Sequence, residues 1–172
     1  MRRRQFLALS GVGTLASLMA ACSTPRDSQQ PIPPFYDRLD LTGHQVDPAS
    51  SLSMINQYRG NNGARPLRWN PVLAQVARQA ADKLAASGRV LSANEVQLGE
   101  ALVQSGYRYK MYTANLSAGY RTFAEAFSGW REMKENNAHL IDARATEIGI
   151  ATALVPGSKY QVFWALVVAD PM

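Results

Sequence analysis

The chain carries one cysteine, Cys22, in 172 residues. A disulfide within the chain is therefore impossible, and whatever folds must stand on its apolar core alone. The place of that cysteine constrains the chain further. It ends the run Leu18-Met19-Ala20-Ala21-Cys22, which is preceded by Met1-Arg2-Arg3-Arg4-Gln5-Phe6-Leu7 and a stretch of apolar or small side chains. No acidic residue precedes Asp27, and no charge lies between Arg4 and Arg26. A basic start, an apolar middle and small residues before a cut describe a secretory signal peptide.

Two finer resemblances sharpen that reading. Arg3-Arg4-Gln5-Phe6-Leu7 resembles the twin-arginine export signal, and Ser10, Gly11 and Gly13 make the segment less apolar than a usual Sec signal. Ala20-Ala21-Cys22 resembles a lipobox, with Met19 where leucine is preferred. In a lipobox the cysteine takes a diacylglyceryl thioether and becomes the new N-terminus. One acyl chain holds a protein reversibly, whereas two or more hold it stably. The alternative is an uncleaved transmembrane anchor, because Gln5 to Pro25 is about long enough to span a bilayer. We favour cleavage after residue 21 because Ser10, Gly11, Gly13, Thr14 and Ser17 dilute the segment.

Charge then excludes one class of partner. Without Arg2, Arg3 and Arg4 the chain keeps 15 basic residues against 13 acidic, so the formal charge of +5 falls to near +2. No cluster of five Lys or Arg occurs, and no aromatic-basic interleaving suited to a nucleic-acid strand. No nucleic-acid partner is expected. Residues 22–46, with Pro25, Pro31, Pro33 and Pro34, read as a semi-rigid tether, from which Phe35, Tyr36 and Leu39 could dock back. Residues 47–172 read as one domain with room for a sizeable core.

Local signals divide that domain. Asp47-Pro48 and Asn70-Pro71 each place a cap before a proline at the first helical position. The first helix ends at Gly60 to Gly63. The second runs to about Ser87 and closes at Gly88, with Leu73, Val76, Ala77, Ala80 and Leu84 on one face. Ser92-Ala93-Asn94-Glu95 reads as a capping box before a short helix from Val96 to Ser105. Thr122-Phe123-Ala124-Glu125 opens another, with Phe123, Ala126, Phe127 and Trp130 inward. Glu147 to Val155 and Tyr160 to Ala169 form a hairpin across Pro156-Gly157-Ser158-Lys159, and a third strand is expected near Ala114 to Ser117. The last run is apolar on both faces, so it belongs at the sheet centre. The expected class is α+β, a small three-stranded antiparallel sheet between helical layers.

An ordered series of segments carries a family resemblance. It comprises Ile55-Asn56-Gln57-Tyr58-Arg59, Pro66-Leu67-Arg68-Trp69-Asn70-Pro71, Ala114-Asn115-Leu116 with Gly119, Trp130, Glu147-Ile148-Gly149-Ile150-Ala151 and Tyr160-Gln161-Val162-Phe163-Trp164. In this order they resemble the CAP superfamily, also called SCP/TAPS or cysteine-rich secretory, antigen 5 and pathogenesis-related 1. The resemblance spans about Ser51 to Ala169 and implies an α-β-α sandwich.

It also implies a cleft with two histidines and two acidic residues, a set able to hold a divalent metal such as zinc or to support acid-base chemistry. Here those positions are replaced. The first histidine falls near Leu91-Ser92-Ala93-Asn94 and the first glutamate on Ala114. The glutamate after the tryptophan falls on Met133, the bacterial histidine on Asn136, and the last histidine on Ser158. His44 lies in the tether, and His139 reads as a structural or surface histidine. The remaining cleft candidates are Asn115, Glu132, Asn136, Ser158 and Gln161. Glu132, Glu135 and Asn136 read as a solvated helix face, or else as polar groups offered to the cleft. Trp69, Trp130 and Trp164 read as core. Tyr107, Tyr109, Tyr112 and Tyr120, interleaved with Arg108, Lys110 and Arg121, read as a loop packing its rings on the domain, or else as a binding face. No cysteine-histidine pair or nucleophile elbow is present. We therefore expect no catalytic residue, no cofactor and no metal. Cys22 is the lipidation site and the membrane the partner reached through it. The expected role is an envelope binding module for a lipid, since some CAP relatives bind sterols or fatty acids, or for an envelope protein. The alternative is an envelope hydrolase or peptidase.

Overall fold

The computed structural model describes residues 31–172. Cys22, the export signal and the start of the tether lie outside them. Among the described residues no helix is long and apolar enough to cross a membrane.

The domain is an α-β-α sandwich. Helices α1 (Pro48–Asn61), α2 (Pro71–Ser87), α3 (Leu98–Gln104), α4 (Phe123–Glu132) and α5 (Lys134–Leu140) flank strands β1 (Arg68–Trp69), β2 (Tyr109–Ala118), β3 (Glu147–Leu154) and β4 (Val162–Pro171). The sheet order is β1-β3-β4-β2. β2 and β3 both run antiparallel to β4. The sheet has four strands where three were expected. The addition is the two-residue β1, parallel to β3 and held by Arg68 N–H to Thr146 O (2.9 Å) and Asn70 N–H to Ile148 O (2.9 Å).

The two faces of β4 explain its wholly apolar sequence. Phe163, Ala165, Val167 and Ala169 join α2 and α3 in one core. Val162, Trp164, Leu166 and Val168 join α4, α5, Ile55 and Leu67 in the other. Alternation places successive side chains on opposite faces, so a strand covered on both sides must be apolar throughout. Trp130 and Trp164 are fully buried in the second core, edge to face at 6.0 Å, as expected of core tryptophans. Trp69 is half-buried against the same core.

The family segments turn out to be fasteners. Asn56 Nδ2 donates to Leu67 O (2.9 Å) and its Oδ1 accepts from Leu67 N–H (2.8 Å), tying α1 to the segment before β1. Arg59 is fully buried. Its three guanidinium nitrogens donate to the carbonyls of Arg65 (2.7 Å), Leu140 (2.8 Å), Asp142 (3.1 Å) and Ala145 (3.3 Å). Burial holds its pKa below the ordinary arginine value, opposed by the nearby Asp142 carboxylate. Glu147 accepts from the α2 cap Asn70 (2.8 Å) and from the Tyr107 hydroxyl (2.8 Å). Burial first, then this bond, pushes the Tyr107 phenol up. At Gly149 a Cβ would collide with the backbone of Leu73 and Ala74, so only glycine lets α2 sit this close on β3.

Several boundaries differ from expectation. The Ser92 capping box forms, with Glu95 N–H to Ser92 Oγ (3.2 Å) and Ser92 N–H to Glu95 Oε2 (2.8 Å), but it opens a turn. Helix α3 starts at Leu98, because Gln97 adopts a left-handed φ of 54°. α5 was not anticipated as a separate helix. Met133 is extended (ψ 117°) and breaks what the sequence offers as one helical run. Tyr109 and Tyr112 lie on β2 rather than in a loop, edge to face at 4.8 Å. From the tether segment, Leu39 is buried and donates its N–H to Arg121 O (2.7 Å), Phe35 packs beside it on the second core, and Tyr36 is exposed.

Candidate functional site

β2 is an edge strand, and a groove follows its free side. Leu91, Ser92 and Ala93, leaving α2, form one wall; Glu135, Asn136 and His139 of α5 form the other. Tyr112, Thr113, Ala114 and Leu116 of β2 lie between, around a cavity of about 460 Å³. Of the positions expected for the histidines and glutamates, Leu91 to Ala93, Ala114 and Asn136 line this cavity, while Met133 and Ser158 do not.

The polar side of β2 faces α4 and α5. Ser117 Oγ accepts from Trp130 Nε1 (3.0 Å). Asn115 is fully buried, and its Nδ2 donates to Asn136 O (3.1 Å). That bond fixes the amide, so Oδ1 faces His139 Nδ1 at 2.8 Å. An oxygen acceptor there takes the Nδ1 proton, and in the neutral ring the lone pair then lies on Nε2. No described residue bonds Nε2. Thr113 Oγ1 is buried without a partner.

The expected cleft residues separate into two groups. Asn115 and Asn136 meet as described. Glu132 ends α4 on the exposed surface, beyond the break at Met133, and does not line the cavity. Ser158 and Gln161 belong to the β3–β4 turn. There Gln161 N–H donates to Ser158 Oγ (3.0 Å), and Gln161 takes a left-handed φ of 60°. Their work is to close the hairpin. The residue that sequence reasoning placed elsewhere is His139. It sits three positions after Asn136, on the same face of a helix, and that spacing was the available signal.

The donors present do not fit a tetrad metal. His139 Nδ1 is taken by Asn115, Ala114 offers no ligand, and among the described residues no three His, Cys, Asp or Glu converge. The cavity can bind through the His139 imidazole, the Glu135 carboxylate and the apolar side chains of Leu91 and Leu116.

A second cavity of about 590 Å³ adjoins the first and shares Ala93 and Tyr112 with it. Gln97, Glu100, Gln104 and Tyr109 are among its other lining residues. The Tyr112 phenol is pushed up by burial and, secondarily, by Tyr109. At Gly99 an added Cβ would lie 2.9 Å from Tyr112 Oη and 3.1 Å from Tyr109 Oη, so glycine lets both hydroxyls approach α3.

No curated protein matches the sequence. Among solved structures, the chain is similar to an outer surface protein of Borrelia burgdorferi (TM-score 0.64, 15% identity, covering 76% of this chain and 99% of that one). It is also similar to an extracellular SCP-domain protein of Bacillus anthracis (TM-score 0.60, 16% identity, covering 70% and 39%). A cysteine-rich secretory protein of Staphylococcus aureus gives a TM-score of 0.58 at 18% identity, covering 70% and 37%. The chain therefore spans well under half of the latter two, and at these identities the likeness is one of fold. The model of the cysteine-rich secretory protein family matches residues 52–168, more than half of the sequence. The chain belongs to the cysteine-rich secretory protein (CAP) family.

Proposed function

We propose that this protein is an exported lipoprotein, held to a bacterial membrane through Cys22, whose CAP domain is a non-catalytic binding module of the cell envelope. One observation carries the binding reading. A cavity of about 460 Å³ lies beside β2, while the stretch Leu91 to Asn94, Ala114 and Asn136 stand where the family resemblance would place acid-base or metal-binding side chains. A cavity without those reactive groups suits recognition better than turnover. The extracellular and outer-surface descriptions of the Bacillus anthracis and Borrelia burgdorferi proteins agree with export.

Two measurements test this. Mass spectrometry of the membrane-extracted chain should find a diacylglyceryl group on Cys22 at the mature N-terminus, and Cys22→Ala should free the protein from membranes. Full retention of Cys22→Ala on membranes would overturn the anchor. The second reading, an envelope hydrolase or peptidase, is favoured by the free His139 Nε2 beside Glu135. Incubation of the purified protein with envelope peptides and soluble peptidoglycan should leave both intact. Products that vanish in His139→Ala would establish the hydrolase instead.

A further inference from the structure

The groove has a property that its side chains do not reveal. Gly119 N–H donates to Val162 O (2.9 Å), directly after the Ala118–Phe163 pair. On the other side of β4, Val155 N–H donates to Gln161 O (2.7 Å), directly after the Leu154–Val162 pair. In an antiparallel ladder alternate residues exchange hydrogen bonds with a given neighbour. Both bonds set one phase. Odd-numbered β4 residues pair with β3, even-numbered ones pair with β2, and Thr113, Asn115 and Ser117 are the β2 residues that answer them. Tyr112, Ala114 and Leu116 therefore send their N–H and C=O groups away from the sheet, and these residues line the groove. No described residue accepts or donates to them.

Folded proteins usually blunt such an edge with charge, proline, a bulge or a cover. The bulge in β2 lies between Tyr109 and Met111, before this stretch. Tyr112-Thr113-Ala114-Asn115-Leu116 carries neither charge nor proline. The exposed stretch is about 13 Å long, enough for roughly four or five extended residues.

We propose that the outer edge of β2, from Tyr112 to Leu116, takes an extended cationic polypeptide segment as an added strand. This rests on the binding-module reading and names the partner class. Strand addition supplies affinity through main-chain bonds, and flanking pockets supply selectivity. The edge shares its groove with Leu91 to Ala93 on one side and α5 on the other, which favours a single added strand over a second sandwich with its own helical layers. Charge selects the segment. Glu135 lines one cavity and Glu100 the other, while no Lys or Arg lines either, in a chain with 18 basic and 13 acidic residues.

The test is a randomised octapeptide library selected on the full-length protein in detergent micelles, with Ala114→Pro as counter-target. Ala114 N–H faces outward, so proline there removes no bond within the sheet; an unchanged circular dichroism spectrum would establish that the variant folds. Enriched peptides should carry Lys or Arg at alternate positions. They should slow amide exchange at Tyr112, Ala114 and Leu116, and bind Ala114→Pro about ten-fold more weakly or worse. Glu135→Lys gives a second arm if the proline variant fails to fold, and should weaken the same peptides by a similar factor. No enrichment over the counter-target, or peptides that bind both variants undiminished, would overturn the edge proposal. So would protection of those three amides by a soluble peptidoglycan fragment and by no peptide. Undiminished peptide binding would still leave a binding module, whereas cleavage of the bound peptide would overturn that reading as well.

Discussion

Arg59 and the β2 groove treat polar groups in opposite ways. At Arg59 each guanidinium nitrogen is buried and meets a carbonyl, so the side chain staples α1 to the segments on either side of Asp142. In the groove, His139 Nε2, the Glu135 carboxylate and the outward backbone groups of β2 face open space. The first region consumes its hydrogen-bonding capacity in folding. The second retains it. Satisfied buried groups stabilise a structure, and leaving one unpaired costs more than the bond itself contributes. Asn56, Arg59 and Glu147 belong to the consuming kind. Glu135 and the Nε2 of His139 belong to the retaining kind, where substitution carries little folding cost.

The largest effect that could break this contrast is at Arg59. Arg59→Leu strands the carbonyls of Arg65, Leu140 and Ala145, leaves that of Asp142 with only the Ala145 N–H, and should cost about 3–5 kcal/mol in urea unfolding. Gly149→Ala comes next. Its methyl meets the α2 backbone, which cannot yield as a flexible side chain would, and a loss of about 2–3 kcal/mol is expected from the thermal midpoint. Trp130→Phe removes the donor to Ser117 Oγ and some volume, for about 1–2 kcal/mol.

A smaller effect lies on the groove wall and is set by pH. Ser92 N–H first, then Arg89 and the Ser92 hydroxyl, hold the Glu95 carboxyl down to about 2. The bonded form is the carboxylate. Its contribution is complete above the ordinary value of 4.5 and fades as the pH falls toward 2. Carbon-detected titration of Glu95 should place its midpoint near 2, and a midpoint near 4.5 would mean the capping box is open in solution. Smallest of all, Glu135→Ala with Asn136→Ala should change stability by less than about 0.5 kcal/mol, since the bond from Asn115 reaches the backbone of Asn136 and survives the change.

Legibility in the sequence followed the range of the signals. α2 begins and ends as its residues announce, because Asn70 Oδ1 caps Val72 and Leu73 and Gly88 adopts the left-handed C-cap within a few residues of chain. β1 could not be read. Two residues show no period, and their pairing to β3 depends on residues nearly eighty positions away. The division of α4 from α5 was equally hidden, because Met133 breaks the run without glycine or proline and α5 starts without a side-chain cap. In the cleft, Asn115 and Asn136 were reached through family positions. The same positional reasoning passed over His139, which enters one turn later through Asn115. Ser158 and Gln161 entered as cleft groups through family positions, although the bond that occupies them is local, three residues apart in the hairpin turn that Pro156-Gly157-Ser158-Lys159 announces.

The contrast between Arg59 and the groove is tested most directly by one side-by-side urea denaturation of the purified full-length chain. It compares Arg59→Leu with the Glu135→Ala, Asn136→Ala double variant. The expected result is a loss of about 3 kcal/mol or more for the first and less than about 0.5 kcal/mol for the second. Equal losses, or a larger loss for the double variant, would contradict the account by making the groove part of what holds the fold.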